Sequence, residues 1–268
     1  MKLNDYRDLF SLKDKRILVT GASGYLGSSI SLTLASLGAH VIINGRSEQD
    51  LNKLAESISA INGACEIAKF DILDEKDVIS YFKLTSIKPL HGLINNAYSG
   101  SSGSFVDSTD QDYRNALEIS VIATQRLIKN ALPSLRLAKK LSDDASIINI
   151  SSMYGLVSPD LAIYPDLESA NPPYYGASKA ALMQLTKYIS CQFASEGIRV
   201  NSVSPGAFPS TKVQKDDPEL VRKIIKKIPL NRIGKPIEVA APIAFLMTSG
   251  SRFITGENLV IDGGWTSL

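Results

Sequence analysis

The 268-residue sequence is poor in the side chains that metal sites and histidine-driven catalysis need. It has two histidines, His40 and His91, far apart in the chain, which argues against a histidine-based metal centre or a Ser-His-Asp triad; no metal is expected. The two cysteines, Cys65 and Cys191, lack CxxC spacing and read as free thiols of a reducing compartment. No uninterrupted apolar run reaches the ~18 residues of a membrane span. The opening stretch, MKLNDYRDLFSLKDKR, alternates charges and lacks the apolar core of an export signal. Neither sign of charge prevails: 29 Lys and Arg against 27 Asp and Glu leave +2, too balanced for a general nucleic-acid surface. The expectation is a cytoplasmic globular protein with no membrane or nucleic-acid partner. With 44 % hydrophobic and 21 % charged residues, the chain can bury a full core.

Short apolar runs alternate with segments of helical period. Residues 15–20, 40–44, 66–70, 92–95, 146–150 and 199–203 read as buried strands, and 259–261 as a short last one. Between them, 28–37, 50–61, 113–137 and 175–195 carry the helical period. This alternation predicts right-handed βαβ crossovers and a doubly wound parallel α/β sheet of about seven strands with helices on both faces. No repeat or linker divides the chain, so a single domain over 1–268 is expected. Two segments break the rhythm. Residues 158–173, with four prolines and no period, read as a loop. Segment 207–229 holds a basic amphipathic helix that Asp217 caps and Pro218 opens. There Leu220, Val221, Ile224, Ile225 and Ile228 form a stripe, and Arg222, Lys223, Lys226 and Lys227 lie off it, as in a lid or a solvated face.

Directly after the first strand, Thr20-Gly21-Ala22-Ser23-Gly24-Tyr25-Leu26-Gly27 opens a helix. Glycines there permit a tight turn and bring backbone N–H groups to a pyrophosphate at the helix N-terminus. The second strand ends in Asn44-Gly45-Arg46, without the acid that holds the ribose hydroxyls of NAD; Arg46 suits the 2′-phosphate of NADP, with NAD as the lesser alternative. Strand 146–150 runs into two hydroxyls, Ser151 and Ser152, at the strand end where parallel sheets place ligands. Tyr175 and Lys179, four apart at the start of a helix, share a face, whereas Tyr174 points elsewhere. A phenol titrates near ~10, and an adjacent ammonium is expected to bring it closer to the useful range.

These pieces resemble the short-chain dehydrogenase/reductase family over nearly the whole chain: TGASGYLG (20–27), FDI (70–72), NNA (95–97), NISS (149–152), YGASK (175–179), RVNSVSPG (199–206) and ITGENLVIDGG (254–264). The resemblance implies a Rossmann-type domain that transfers a hydride between a nicotinamide and a carbonyl or alcohol carbon. It makes Ser152 the residue that holds the substrate, Tyr175 the acid–base, and Lys179 the side chain that binds the nicotinamide ribose and tunes Tyr175. It also implies that Gly21, Ser23, Gly24, Tyr25 and Leu26 meet the pyrophosphate, that Asp71 and Ile72 flank adenine, and that Asn96, Ala97 and Tyr98 line the cofactor. Pro205 and Gly206 would lie beside the nicotinamide, with Thr211 reaching its carboxamide.

The sequence departs from the family in four places. Gly24 carries the middle glycine and Tyr25 stands where that glycine is expected, a spacing similar to the extended branch. Tyr98 replaces the glycine after NNA, so a bulky ring is expected to narrow the cavity. Ser120 stands at the position of the family's proton-relay asparagine. Finally, Ser152 and Tyr175 are further apart than is usual, and the extra residues form the 158–173 loop, which is expected beside the substrate. That loop is similar to loops of surface-sugar and flagellin-glycan enzymes, and parts of the chain to gluconate 5-dehydrogenase-like members. Its polar residues Asp160, Asp166, Glu168 and Asn171 suit a hydroxyl-rich ligand. The resulting expectation is an NADP-preferring oxidoreductase of a sugar-derived small-molecule substrate, assembled as a homodimer or homotetramer. A 3-oxoacyl-thioester reductase and a non-catalytic cofactor-binding regulatory or scaffold protein are the alternatives.

Overall fold

Buried apolar residues cover both faces of every inner strand, and this dictates the architecture of the computed structural model, which describes residues 6–268. The first five residues, the start of the charged N-terminal stretch, lie outside the described residues. Strands β1 (Arg16–Val19), β2 (His40–Gly45), β3 (Ala64–Lys69), β4 (Gly92–Asn95), β5 (Ala145–Ile150), β6 (Ile198–Pro205) and β7 (Asn258–Ile261) form one parallel sheet in the order β3-β2-β1-β4-β5-β6-β7. The order reverses between β1 and β4, and such a switch point leaves a crevice beyond the carboxyl ends of the strands.

Alternation along each strand divides the core into two layers. Ile17, Val19, Val41, Ile43, Ile94 and Ile148 point to one face and pack under α1 (Tyr25–Ser36), α2 (Glu48–Ala60) and, from later in the chain, the helix over Pro236–Met247. Leu18, Ile42, Leu93, Ile147 and Val200 point to the other. There they meet α3 (Glu75–Thr85) and two later helices, α5 (Ala123–Ser142) and α6 (Pro173–Phe193), while α4 (Asp110–Leu117) packs outside them against α6. The rest of the chain forms α7 (Thr211–Asp216), α8 (Pro218–Lys227) and α9 (Pro236–Met247).

The element boundaries depart from the periodicity at specific places. The helix expected over 113–137 starts at Thr109, whose capping box with Asp112 fixes its first turn, and runs on to Ser142 through a wide π turn at Glu118–Ile122. Pro173 belongs to α6 as its first residue, the position where a missing N–H costs nothing. The rest of the 158–173 loop contains a single 3₁₀ turn, Leu161–Ile163, capped by Asp160. Segment 207–229 holds two helices, with Asp217 ending α7 and capping α8. Strand β3 begins at Ala64, earlier than its apolar run, because it borders solvent and tolerates polar residues.

Candidate active site

The crevice is built first from backbone. At Gly21 the chain takes φ +61°, which a side chain disfavours. A Cβ at Gly27 would stand 2.1 Å from the Gly21 carbonyl oxygen, so only glycine lets the first turn of α1 close on the loop. Asn96, just past the end of β4, fastens this turn by donating through Nδ2 to the carbonyls of Thr20 (2.9 Å) and Gly21 (3.1 Å). The Thr20 hydroxyl accepts in return from the N–H groups of Asn96 and Ala97. Asn44 donates to the carbonyls of Ala68 (2.9 Å) and Phe70 (3.1 Å), tying the ends of β2 and β3 and placing Asp71.

The result is a groove of about 510 Å³ that unites Gly21, Ser23, Gly24, Tyr25, Leu26, Arg46, Asp71, Ile72, Asn96, Ala97 and Tyr98. A dinucleotide fits this donor set, because the glycine turn leaves no side chain between its backbone N–H groups and a pyrophosphate. Arg46 is exposed at the groove rim, with Nη1 3.9 Å from an Asp71 carboxylate oxygen. Sequence reasoning missed Ser47, Leu73, Ser99 and Ile119, which also line the groove. No motif marks the last three; Ser47 had a signal, since it sits at a helix start, where its hydroxyl caps α2 by accepting from the Asp50 N–H. Pro205, Gly206 and Thr211 are not part of this lining: Pro205 ends β6, and Thr211 is exposed at the start of α7.

The groove leads to the end of β5, where Ser152, Tyr175 and Lys179 come together. The Ser152 side chain stands close enough to the Tyr175 phenol to pull its pKa down. Lys179 is 4 % exposed, donates to the Ile150 carbonyl (2.8 Å), and lies 5.7 Å from the centre of the Tyr175 ring. Ser151 faces away, its hydroxyl donating to the Lys179 carbonyl, which pins α6 to β5. Tyr174 also points elsewhere: it is buried, hydrogen-bonded to Ser101 and edge-on to Tyr113.

Burial governs the electrostatics. It pulls the Lys179 ammonium down to about 7, and it pushes the Tyr175 phenol up. The expectation of a phenol lowered by Lys179 is therefore corrected: in this structure burial raises it, and the pull that opposes burial comes from Ser152. Ser120, within the π turn, does not turn toward Lys179; its hydroxyl lies 3.2 Å from that of Ser178, which donates to the Tyr175 carbonyl. Tyr98, expected to narrow the cavity, lies edge-on to Tyr175 with ring centres 4.9 Å apart, and the Lys179 ammonium sits 4.8 Å above its ring.

The 158–173 loop packs beside this trio. With residues 103–106, the turn after Ser152 and Gly176 of α6, it encloses a second cavity of about 540 Å³. Its walls are mostly apolar, including Leu156, Val157, Leu161, Leu167 and Pro172. Much of the loop polarity is engaged elsewhere: Asp166 holds Ser169, and Asp160 pairs with Lys227 of α8 (2.6 Å). Asn171 does line the cavity, and its side-chain oxygen is buried without a donor among the described residues. Among those residues no cluster of His, Cys, Asp or Glu could hold a metal ion, and no helix is long and apolar enough to cross a membrane.

Comparison with known proteins points the same way. A family model described as enoyl-(acyl carrier protein) reductase matches residues 21–266. A 3-oxoacyl-[acyl-carrier-protein] reductase of Rickettsia felis is 33 % identical over 260 residues, covering 96 % of this chain and 98 % of the relative. The RhlG/NADP active-site complex of Pseudomonas aeruginosa is similar with TM-score 0.86 and 29 % identity, over 96 % of this chain and 98 % of that one. A putative NAD(P)-dependent gluconate 5-dehydrogenase of Beutenbergia cavernae with bound NADP gives TM-score 0.85 and 25 % identity, over 97 % and 100 %.

Proposed function

Because the chain belongs to the short-chain dehydrogenase/reductase family and is an NAD(P)-dependent oxidoreductase, we propose that it uses NADP to interconvert a ketone and a secondary alcohol of a sugar-derived substrate. The observation that carries the reaction class is the convergence of Ser152, Tyr175 and Lys179 at the end of the groove. The nicotinamide, when bound, supplies or accepts the hydride. Ser152 holds the substrate oxygen by hydrogen bonding, and Tyr175, beside Ser152, passes a proton to that oxygen or takes one from it. Lys179, poised near neutrality by burial, binds the ribose and stabilises the phenolate when Tyr175 gives up its proton. Ser120 acts through Ser178 on the first turn of α6 and so positions Tyr175. Gly21, Ser23, Gly24, Tyr25 and Leu26 hold the pyrophosphate, Asp71 and Ile72 the adenine end, and Asn96 and Ala97 the middle of the groove, with Pro205, Gly206 and Thr211 at the nicotinamide end. Arg46 meets the 2′-phosphate, in keeping with the NADP found in the two structural relatives.

For the substrate, the buried Asn171 oxygen lacks a donor, and a ligand hydroxyl would provide one. The gluconate 5-dehydrogenase likeness supports the same reading. A second reading, a 3-oxoacyl-thioester reductase, is favoured by the apolar walls of the loop cavity and by the Rickettsia relative. NADPH oxidation against a panel of keto-sugars and 3-oxoacyl thioesters separates them. Turnover of keto-sugars with little thioester activity is expected; the reverse selects the second reading, and no turnover of either leaves a cofactor-binding regulatory protein. The chain self-associates as a homodimer or homotetramer through α5, α6, where Tyr188 is 67 % exposed, and the C-terminal strand region. Light scattering at the monomer mass of 29.0 kDa contradicts that assembly.

A further inference from the structure

Tyr98 stands between two cavities. Together with Leu73, Ser99 and Ile119 it lines both the dinucleotide groove and an adjoining cavity of about 390 Å³, which continues past Ser101 toward Asp112, Asn115 and Tyr174. Its ring face lies on the Lys179 ammonium at 4.8 Å, and it is edge-on to Tyr175 at 4.9 Å. Both contacts are attractive: an ammonium over an aromatic face, and an edge-to-face ring pair. At its far end the hydroxyl lies over Gly100, where a Cβ would be only 2.7 Å away. The ring thus covers the two side chains that a nicotinamide riboside has to reach, and a cavity large enough for a phenol ring opens beside it.

We propose that Tyr98 is a gate at the nicotinamide end of the groove, which covers Lys179 and Tyr175 in the closed position seen here and swings into the adjoining cavity when a dinucleotide binds. The inference rests on the reading of the groove as an NADP site. Its physical content is a competition. Each contact that holds the ring on Lys179 and Tyr175 is lost before the nucleotide can use them, so the closed position taxes affinity and slows association. Removing the ring removes the tax. The polar residues of the adjoining cavity, Ser101 and Asp112 among them, offer the swung-out hydroxyl partners that the closed position does not.

The test is NADPH binding by stopped-flow and equilibrium fluorescence on the purified chain and its Tyr98→Ala, Tyr98→Phe and Gly100→Ala variants, with thermal unfolding run alongside. Tyr98→Ala is expected to raise the association rate and tighten Kd by about tenfold, which is about 1.4 kcal/mol. Tyr98→Phe, which keeps the ring over Lys179 but loses the hydroxyl's partners in the open position, binds no tighter than the parent. Gly100→Ala, whose Cβ would crowd the closed hydroxyl at 2.7 Å although Gly100 also lines the adjoining cavity, shifts both constants in the direction of Tyr98→Ala by a smaller factor. If Tyr98→Ala unfolds, Tyr98→Leu replaces it and is expected to show the same gain, because leucine fills space without offering a π face. Binding that weakens in Tyr98→Ala, or an unchanged association rate, while the parent binds NADPH normally, overturns the gate and makes the ring a plain wall of the site. A parent chain that binds neither NADPH nor NADH overturns the dinucleotide reading, and the gate with it.

Discussion

Replacing Asp144 by Asn should cost the fold several kcal/mol, although the residue lies at the opposite end of the sheet from the site. Asp144 opens onto β5 and is almost fully buried, between Lys15 just before β1 (2.5 Å) and Arg199 in β6 (3.5 Å). Both cations are completed by backbone carbonyls, Lys15 by Met247 (2.9 Å) and Arg199 by Leu246 (2.9 Å), so the cluster fastens three strands to the end of α9. Asparagine keeps the shape but leaves two buried cations without their counter-charge, which costs about 3–5 kcal/mol. At about 2–4 °C per kcal/mol for a chain of this size, the midpoint should fall by roughly 6–20 °C. The cost should also depend on pH. Burial already lowers the Lys15 pKa against the pull of Asp144, and losing the carboxylate lowers it further. A lysine with a depressed folded pKa contributes stability above its unfolded value, near 10.5, that is lost as pH falls, so the variant should lag the parent less at pH 10 than at pH 7. Thermal and urea unfolding at both pH values measure this. A loss below about 1 kcal/mol at pH 7 would refute the argument that the cluster works as a charge-balanced buried unit.

Other expectations follow from the same reasoning. Arg46→Ala should weaken NADPH binding by about tenfold and leave NADH nearly unchanged, a modest factor because the side chain is 69 % exposed; titration with the two nucleotides reads it directly. Asp160→Asn removes the Lys227 contact between the loop and α8, so KM should rise several-fold while kcat holds, and raising salt should produce a similar shift in the parent chain. His91 is buried, accepts the Arg16 N–H at Nδ1 and has its pKa lowered chiefly by burial. Its contribution to stability is therefore complete above pH 6.5 and is lost as pH falls below that value; unfolding free energies measured from pH 7.5 to 5 should decline, and decline less in His91→Phe.

The sheet was legible in the sequence because its inner strands are buried on both faces, so runs such as Ile17-Leu18-Val19 and Ile147-Ile148 have no competing explanation. The glycine turn and the Ser152, Tyr175 and Lys179 trio were legible because their spacings are local. What stayed hidden depends on tertiary contact. The Lys15–Asp144 pair joins residues 129 positions apart, and no periodicity anticipates it. The direction of the Tyr175 shift turned on how deeply the site is buried, which spacing does not encode. The polar loop residues suggested a hydrophilic pocket, yet Asp160 and Asp166 satisfy partners outside the cavity and leave mostly apolar side chains as its wall. Tyr98 was visible as a departure, but that its ring lies on Lys179 required the fold.

Tyr175→Phe tests the central claim most directly. The substitution removes one oxygen from a residue whose ring contacts to Tyr98 and Lys179 remain, so the fold and the groove should be retained. Turnover of the substrate identified by the panel should fall by about 10²–10⁴-fold, while the Kd for NADPH changes little. Turnover close to that of the parent chain would contradict Tyr175 as the proton-transferring group, and with it the proposed mechanism.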